Sequence, residues 1–267
     1  MKKSLVALLV AASCSAGVLA QESDYQSAVL PESEPIALSD DIALTANITL
    51  ASDYRFRGIS QTQNNPAFQG GLDLTLPLGF YVGNWNSSVS ATQYPNGAGL
   101  ESDFYAGWKK DVWEGLTVDV GSWNYFYPGA INGTNPNFNT SEVYGGLSYG
   151  SLSAKYNQSM TNYFGIANSK NTSYMQADLN QSLGFVTDKL DKLSFVAHYG
   201  RTDVANNSTL NYDDYNVGLA YDLNSWIVAG KYYQNGSYGA DAKAFNTSTS
   251  GRQLYKDAFV VTVTKTF

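Results

Sequence analysis

Apolar and polar positions alternate along this chain from Ile42 onward, and a period of two predicts β-strands. In the first run Leu44, Ala46, Ile48, Leu50, Ser52, Tyr54 and Phe56 share one face. Thr45, Asn47, Thr49, Asp53, Arg55 and Arg57 share the other. The next run, about 67–76, sets Phe68, Leu72, Leu74 and Leu76 against Gln69, Asp73 and Thr75. The same pattern recurs at about 80–90, 101–110, 116–127, 141–149, 152–159, 172–183, 193–201, 212–222, 226–234 and 255–267, which predicts about twelve strands. The last of them carries Phe259, Val261, Val263, Lys265 and Phe267 on one face and Val260, Thr262, Thr264 and Thr266 on the other.

Such strands suit either a soluble sandwich or a barrel in a membrane, and two features favour the barrel. Charges at Asp53, Arg55 and Asp73 are hard to bury in a sandwich core but ordinary in a wet lumen. The connections also alternate in length. Those at 77–79, 111–115, 150–151, 184–192 and 223–225 are mostly tight, whereas those at 58–65, 91–99, 128–140, 160–171, 202–211 and 235–254 are longer and rich in Gly, Asn and Ser. Short turns at one rim and long loops at the other predict an all-β fold: a single transmembrane antiparallel β-barrel over residues 42–267, with short periplasmic turns and longer extracellular loops. In that fold Phe259, Val261, Val263 and Phe267 form the barrel-closing strand. Its terminal Phe is similar to the C-terminal signature of bacterial outer-membrane barrels, which implies the barrel-assembly machinery as a partner. Lys265 departs from the apolar face, at a boundary where a long cation can snorkel.

Composition agrees with this picture. The chain holds 20 Tyr, 12 Phe and 5 Trp, rings with an apolar body and a polar tip that suit a membrane–water interface. Tyr215 and Tyr221 bracket Val217 and Leu219, as Phe259 and Phe267 bracket the last strand. Residues 1–20 read as a signal peptide, with Lys2 and Lys3 before an apolar stretch and Val18-Leu19-Ala20 as cleavage site. Residues 21–41, acidic and with Pro31 and Pro35, read as a disordered periplasmic extension. The only cysteine, Cys14, lies in the signal, so the mature chain is expected to have no disulfide and no thiolate metal site. Formal charge is −7, and loss of the signal with its two lysines leaves −9. An acidic chain argues against nucleic acid as a partner.

The run Leu50-Ala51-Ser52-Asp53-Tyr54-Arg55-Phe56-Arg57-Gly58-Ile59-Ser60-Gln61, continued by Asn65-Pro66-Ala67-Phe68-Gln69-Gly70-Gly71, resembles the start of the TorF family of proteobacterial porins. Residues 79–85, 102–108, 142–146 and 214–218 fit later parts of that pattern, so the resemblance covers nearly all of the chain after residue 42. It implies an outer-membrane barrel with a pore function, set among membrane lipid and lipopolysaccharide, and it supplies no catalytic residues.

The predicted lumen face carries Asp53, Arg55, Arg57, Asp73, Glu101, Asp103, Asp119, Glu142, Lys155, Asp178, Asp214 and Lys231 as pore-lining candidates. Its acidic excess predicts a weak preference for cations if the pore is open; pairing of opposite charges across the barrel would plug it. The one histidine, His198, reads as a lumen-wall residue, with no hydroxyl at a local spacing that suggests a catalytic pair. A His-based metal cluster needs more than one His, and Asp213-Asp214 lacks a spaced calcium-loop motif. The expectation is therefore a channel for passive diffusion of small hydrophilic solutes or ions, with no cofactor, no metal and no enzymatic activity. The alternatives are a non-conducting barrel whose surface loops bind a partner, and a barrel enzyme acting on lipid.

Overall fold

Each alternating run forms a strand that pairs antiparallel with its neighbour, and the last run pairs with the first. The computed structural model describes residues 36–39, 42–94, 98–130 and 138–267. Its strands are β1 (Ile36–Ser39), β2 (Ile42–Ala51), β3 (Arg55–Phe56), β4 (Ile59–Ser60), β5 (Ala67–Thr75), β6 (Phe80–Ser88), β7 (Leu100–Trp113) and β8 (Leu116–Phe126). They continue with β9 (Thr140–Tyr149), β10 (Leu152–Ser159), β11 (Ser173–Ser182), β12 (Leu193–Asp203), β13 (Tyr212–Asp222), β14 (Trp226–Gly236) and β15 (Ala258–Thr266). A single α-helix among the described residues, α1 (Ala240–Phe245), sits in the β14–β15 connection. β2 and β5 to β15 form a continuous ring, because β2 pairs with both β15 and β5. This is a closed twelve-stranded antiparallel barrel, and closure leaves no free sheet edge between its walls.

The β15–β2 seam runs from Thr262 opposite Ala51 to Thr266 opposite Asn47, and Phe267 exchanges backbone hydrogen bonds with Ala46 at 2.8 and 3.2 Å. Beyond Ala46 the edge of β2 has no β15 partner. β1 takes that place, with Ile36 opposite Leu44 and Ala37 opposite Ala43. This corrects one expectation: residues 36–39 belong to a strand, because the open backbone groups at the start of β2 need partners. The rest of the expected 21–41 extension, and the expected 1–20 signal peptide, lie outside the described residues, as do the loop tips 95–97 and 131–137.

The outer and inner faces of the barrel follow the alternation. Leu50, Phe68, Leu72, Phe104, Leu147, Met175, Val217, Leu219 and Phe259 are exposed on the outside, while Thr49, Gln69, Glu101, Glu142, Asn157, Asn216 and Thr264 are buried inside. Lys265 reaches the 223–225 turn to hydrogen-bond Ser225, with its ammonium over the Trp226 and Phe267 rings. The tight turns have the geometry their length demands. Glu114 and Gly115, at φ 39° and 87°, make the two-residue reversal between β7 and β8. That reversal lets β7 run to Trp113, three residues past the expected end near 110.

Tyrosine and glycine are used together on the inner wall. Tyr81 lies across Gly107, Tyr105 across Gly83, Tyr144 across Gly121 and Tyr174 across Gly200, each where a Cβ would stand. A ring laid flat over a neighbouring glycine covers the backbone and keeps the wall thin. At Gly121 an added Cβ would come within 2.5 Å of the Ala106 carbonyl oxygen on β7 and 2.6 Å of the Tyr144 hydroxyl oxygen. Gly121→Ala is therefore expected to cost about 1–3 kcal/mol by overpacking, seen as a lower midpoint for loss of the compact, heat-modifiable band on electrophoresis. An unchanged midpoint would show that both the Tyr144 ring and the β7 backbone give way freely.

Candidate functional site

The feature that sets this barrel apart lies between β2 and β5. The sequence pattern predicts a first strand through Arg57; the structure ends it at Ala51, and the chain then turns inward. Every residue from Asp53 to Gln63 is buried. β3 and β4 pair as a small hairpin, Arg55 opposite Ser60 and Phe56 opposite Ile59. Its two turn residues, Arg57 and Gly58, have φ of 47° and 76°, the left-handed pair that two-residue hairpins require. Tyr54 and Phe56, expected on the outer face, are consequently inside the barrel.

A local polar knot holds this fold. The Asp53 carboxylate accepts hydrogen bonds from Ser60 (2.6 Å), Thr62 (2.9 Å) and the Arg55 Nε (2.7 Å). Arg55 also donates to the carbonyls of Gly58 (3.0 Å) and Lys256 (2.7 Å) and to Asn64 Oδ1 (3.0 Å). The 237–257 connection is thereby tied onto the hairpin, and Arg252 reinforces it by donating to the Gln63 carbonyl at 2.6 Å. Buried charges persist only when paired and fully hydrogen-bonded, and Asp53 and Arg55 meet that condition between the hairpin loop and the 237–257 connection.

The tip crosses the lumen near the long-loop rim. On one side Arg57 makes a forked contact with Glu142 of β9, at 3.1 and 2.6 Å, and donates to the Tyr163 hydroxyl at 3.1 Å. Its guanidinium stacks 4.1 Å from the Tyr174 ring centroid. On the other side Gly58 lies against Asp214 of β13 and Asn235 of β14, so closely that a Cβ there would strike both. Asn235 donates to the Gly58 carbonyl at 3.0 Å. Tyr54 and Phe56 fill the space toward β6–β8, edge-on to Trp85 and Tyr125 respectively. Burial pushes the phenols of Tyr54, Tyr94 and Tyr163 up, with Glu101 adding to the effect at Tyr54 and Tyr94 and Arg57 opposing it at Tyr163. Tyr54 and Tyr94 donate to Glu101 and Gln61, while the Tyr163 hydroxyl accepts from Arg57.

The remaining candidates lie on the walls. Asp73, Glu101 and Asp103 are buried, and Asp119 is half-buried; each accepts from a ring donor, Tyr105 (2.5 Å), Tyr54 (3.3 Å), Trp123 (3.1 Å) and Tyr81 (2.7 Å) in turn. The Lys155 ammonium sits 3.7 Å from the Tyr144 ring centroid, and Lys231 is buried on β14. His198 faces the lumen, with Nδ1 2.6 Å from Asp178 and Nε2 2.9 Å from Asp214 and 3.0 Å from the Tyr174 hydroxyl. Among the described residues no group of three His, Cys, Asp or Glu could hold a metal ion.

The structure thus separates the pore-lining candidates into two sets. Asp73, Glu101, Asp103, Asp119, Glu142, Lys155, Asp178, Asp214 and Lys231 stand on barrel strands. Asp53, Arg55 and Arg57 stand on the inward hairpin instead, because the Arg57-Gly58 turn reverses the chain. Pattern reading also missed Tyr163, Tyr174 and Asn235, which hold the tip. The Arg-Gly pair between two short alternating runs was the available signal.

Fold and site together define a closed antiparallel β-barrel with a charged interior and a hairpin folded into it. Residues 37–267 match the Gcw_chp family, described as bacterial proteins of unknown function, and the chain belongs to that family. No curated protein matches the sequence. Among solved structures the barrel is similar to the KdgM porin in complex with disordered oligogalacturonate (10% identity, 84% of this chain and 98% of that one, TM-score 0.48). It is similar also to the NanC porin (11% identity, 84% and 99%, TM-score 0.49) and to Acinetobacter baumannii OccAB3 (12% identity, 86% and 65%, TM-score 0.42). The family match assigns no activity, and the TorF likeness remains one of sequence runs.

Proposed function

We propose that the protein is an outer-membrane channel for small hydrophilic solutes or ions, gated by the Arg55–Ser60 hairpin. The observation that carries this reading is the buried tip, seated between Glu142 on one wall and Asp214 with Asn235 on the other. A barrel with an apolar exterior and a charged interior suits a membrane around it and water within it. Twelve strands stand between a filled eight-stranded barrel and a sixteen-stranded aqueous porin, so one inserted hairpin is enough to obstruct the lumen. Three wall aspartates, Asp73, Asp103 and Asp119, accept from neutral donors and outnumber the two wall lysines, Lys155 and Lys231, while Arg55 and Arg57 are engaged with Asp53 and Glu142. That balance favours cations in the open path.

The test is single-channel recording of the refolded protein in a planar bilayer under a salt gradient. The wild type is expected to show infrequent openings with a reversal potential on the cation side. A variant in which residues 54–62 are replaced by a short Gly-Ser linker is expected to conduct steadily. A folded barrel that stays silent without its hairpin would overturn the channel reading and favour loops that bind a surface partner; an anion-side potential would remove the cation preference alone.

A further inference from the structure

The six long connections meet around a cavity at the loop-side mouth, and the channel reading makes no use of it. Its volume is about 270 Å³. Each connection contributes to the lining: Ile59, Tyr94, Phe138, Phe164, Leu210 and Phe245 come from the six in turn. Eight aromatic rings and five aliphatic side chains line it among the described residues, and no Asp, Glu, Lys or Arg does. Three apolar clusters border the space without merging across it; Phe56, Ile59 and Ile166 each belong to a different one.

The lining amides are spent on the protein itself. Gln61 donates to the Ile59 carbonyl at 2.9 Å and accepts from Tyr94. Gln93 and Asn246 donate to the Ser60 and Ala242 carbonyls, each at 3.0 Å. The Tyr163 hydroxyl accepts from Arg57. A charged solute would shed its hydration there and meet no counter-charge, and a polyhydroxylated one would find these groups already bonded. An apolar ring gives up no hydrogen bond, and it supplies the dispersion contacts that the walls of a void lack. Apolar cavities of roughly 150 Å³ take up benzene, so this one has room for a ring or a fused pair. We propose that the cavity binds a small uncharged aromatic molecule and that its occupant holds the hairpin in the closed position. Phe56, Ile59 and Gln61 form part of the wall, so undocking the hairpin dismantles the site. A ligand that binds only the docked state opposes opening.

The effect on opening rests on the channel reading, whereas binding is measured apart from conductance. Protein refolded in detergent micelles, with its isoleucine δ1 methyls labelled, is titrated with toluene, benzoate and phenyltrimethylammonium and followed by methyl NMR. Ile59 and Ile166 line the cavity, and Ile48 on the outer face reports uptake of the probe by the micelle. Saturable shifts at Ile59 and Ile166 are expected with toluene, while Ile48 shifts only in proportion to its concentration. Both charged probes should bind at least tenfold more weakly. Leu210→Trp fills the space, and Phe245→Ala opens a wall that stands exposed on the loop helix; each should weaken toluene binding fivefold or more. In planar bilayers, toluene at ten times its dissociation constant should lower the open-to-closed ratio of the wild type about tenfold, and that of Leu210→Trp far less. Ile48 saturating in step with Ile59, a charged probe binding as tightly as toluene, or both folded variants binding like wild type would overturn the site. Saturable binding with unchanged opening would overturn its hold on the hairpin. Saturable binding by a barrel that never conducts, with or without its hairpin, would sustain the site and remove the channel reading.

Discussion

Arg57→Ala is expected to convert infrequent openings into sustained conductance. The substitution takes the forked guanidinium away from the buried Glu142 carboxylate, removes the hydrogen bond to Tyr163, and uncovers the Tyr174 ring. Breaking a buried ion pair by removing one partner costs about 3–5 kcal/mol. The whole cost falls on the docked state, since an undocked tip leaves both groups in water. At ~1.4 kcal/mol per factor of ten, the open-to-closed ratio should rise at least about a hundredfold. Glu142→Gln should act in the same direction, and Arg57→Lys should be intermediate, keeping the charge without the planar fork. The barrel strands contain none of the deleted contacts apart from Glu142 and Tyr174, so the heat-modifiable band should persist. Open probability equal to wild type in both Arg57→Ala and Glu142→Gln would show that the tip contacts do not hold the gate.

His198→Leu is expected to be the most destabilising single change on the wall. Both ring nitrogens face carboxylate oxygens, Asp178 at 2.6 Å and Asp214 at 2.9 Å, and only a ring bearing both protons can donate to both. Without it, the two buried carboxylates lose the ring that bridges them, at a loss of about 3–5 kcal/mol. Asp214 also abuts Gly58, so the seat of the hairpin is disturbed together with the wall. The measurement is the midpoint of urea unfolding followed by tryptophan fluorescence, which should fall clearly. Adding Asp178→Asn and Asp214→Asn to His198→Leu should recover part of the loss by removing the repulsion. An unchanged midpoint for His198→Leu, or no recovery in the triple variant, would mean that this group is not the electrostatic unit its geometry describes.

Much of the wall was legible before any coordinates. The alternation at Leu44–Leu50, at Phe68–Leu74 and at Phe259–Phe267 states which side chains face out, because a strand offers only two faces. The His198 and Asp178 positions follow from the same rule. The hairpin was not legible, for a specific reason. Asp53, Tyr54, Arg55 and Phe56 continue the alternation of β2 without a break, so period alone runs the strand on to Arg57. What stops it is the set of three donors on Asp53, two of them from Ser60 and Thr62, seven and nine residues downstream. No periodicity encodes a side-chain hydrogen bond of that kind.

The sequence by itself determined a closed barrel, its strand number and its inside and outside, since backbone pairing and a two-residue repeat leave little freedom once charges must avoid the apolar face. Tertiary structure decided whether the lumen is clear or obstructed. That outcome depends on contacts between residues far apart in the chain, Arg57 with Glu142 and Gly58 with Asp214 and Asn235. Such contacts form only after the ring of strands has brought opposite walls within reach of one inward turn.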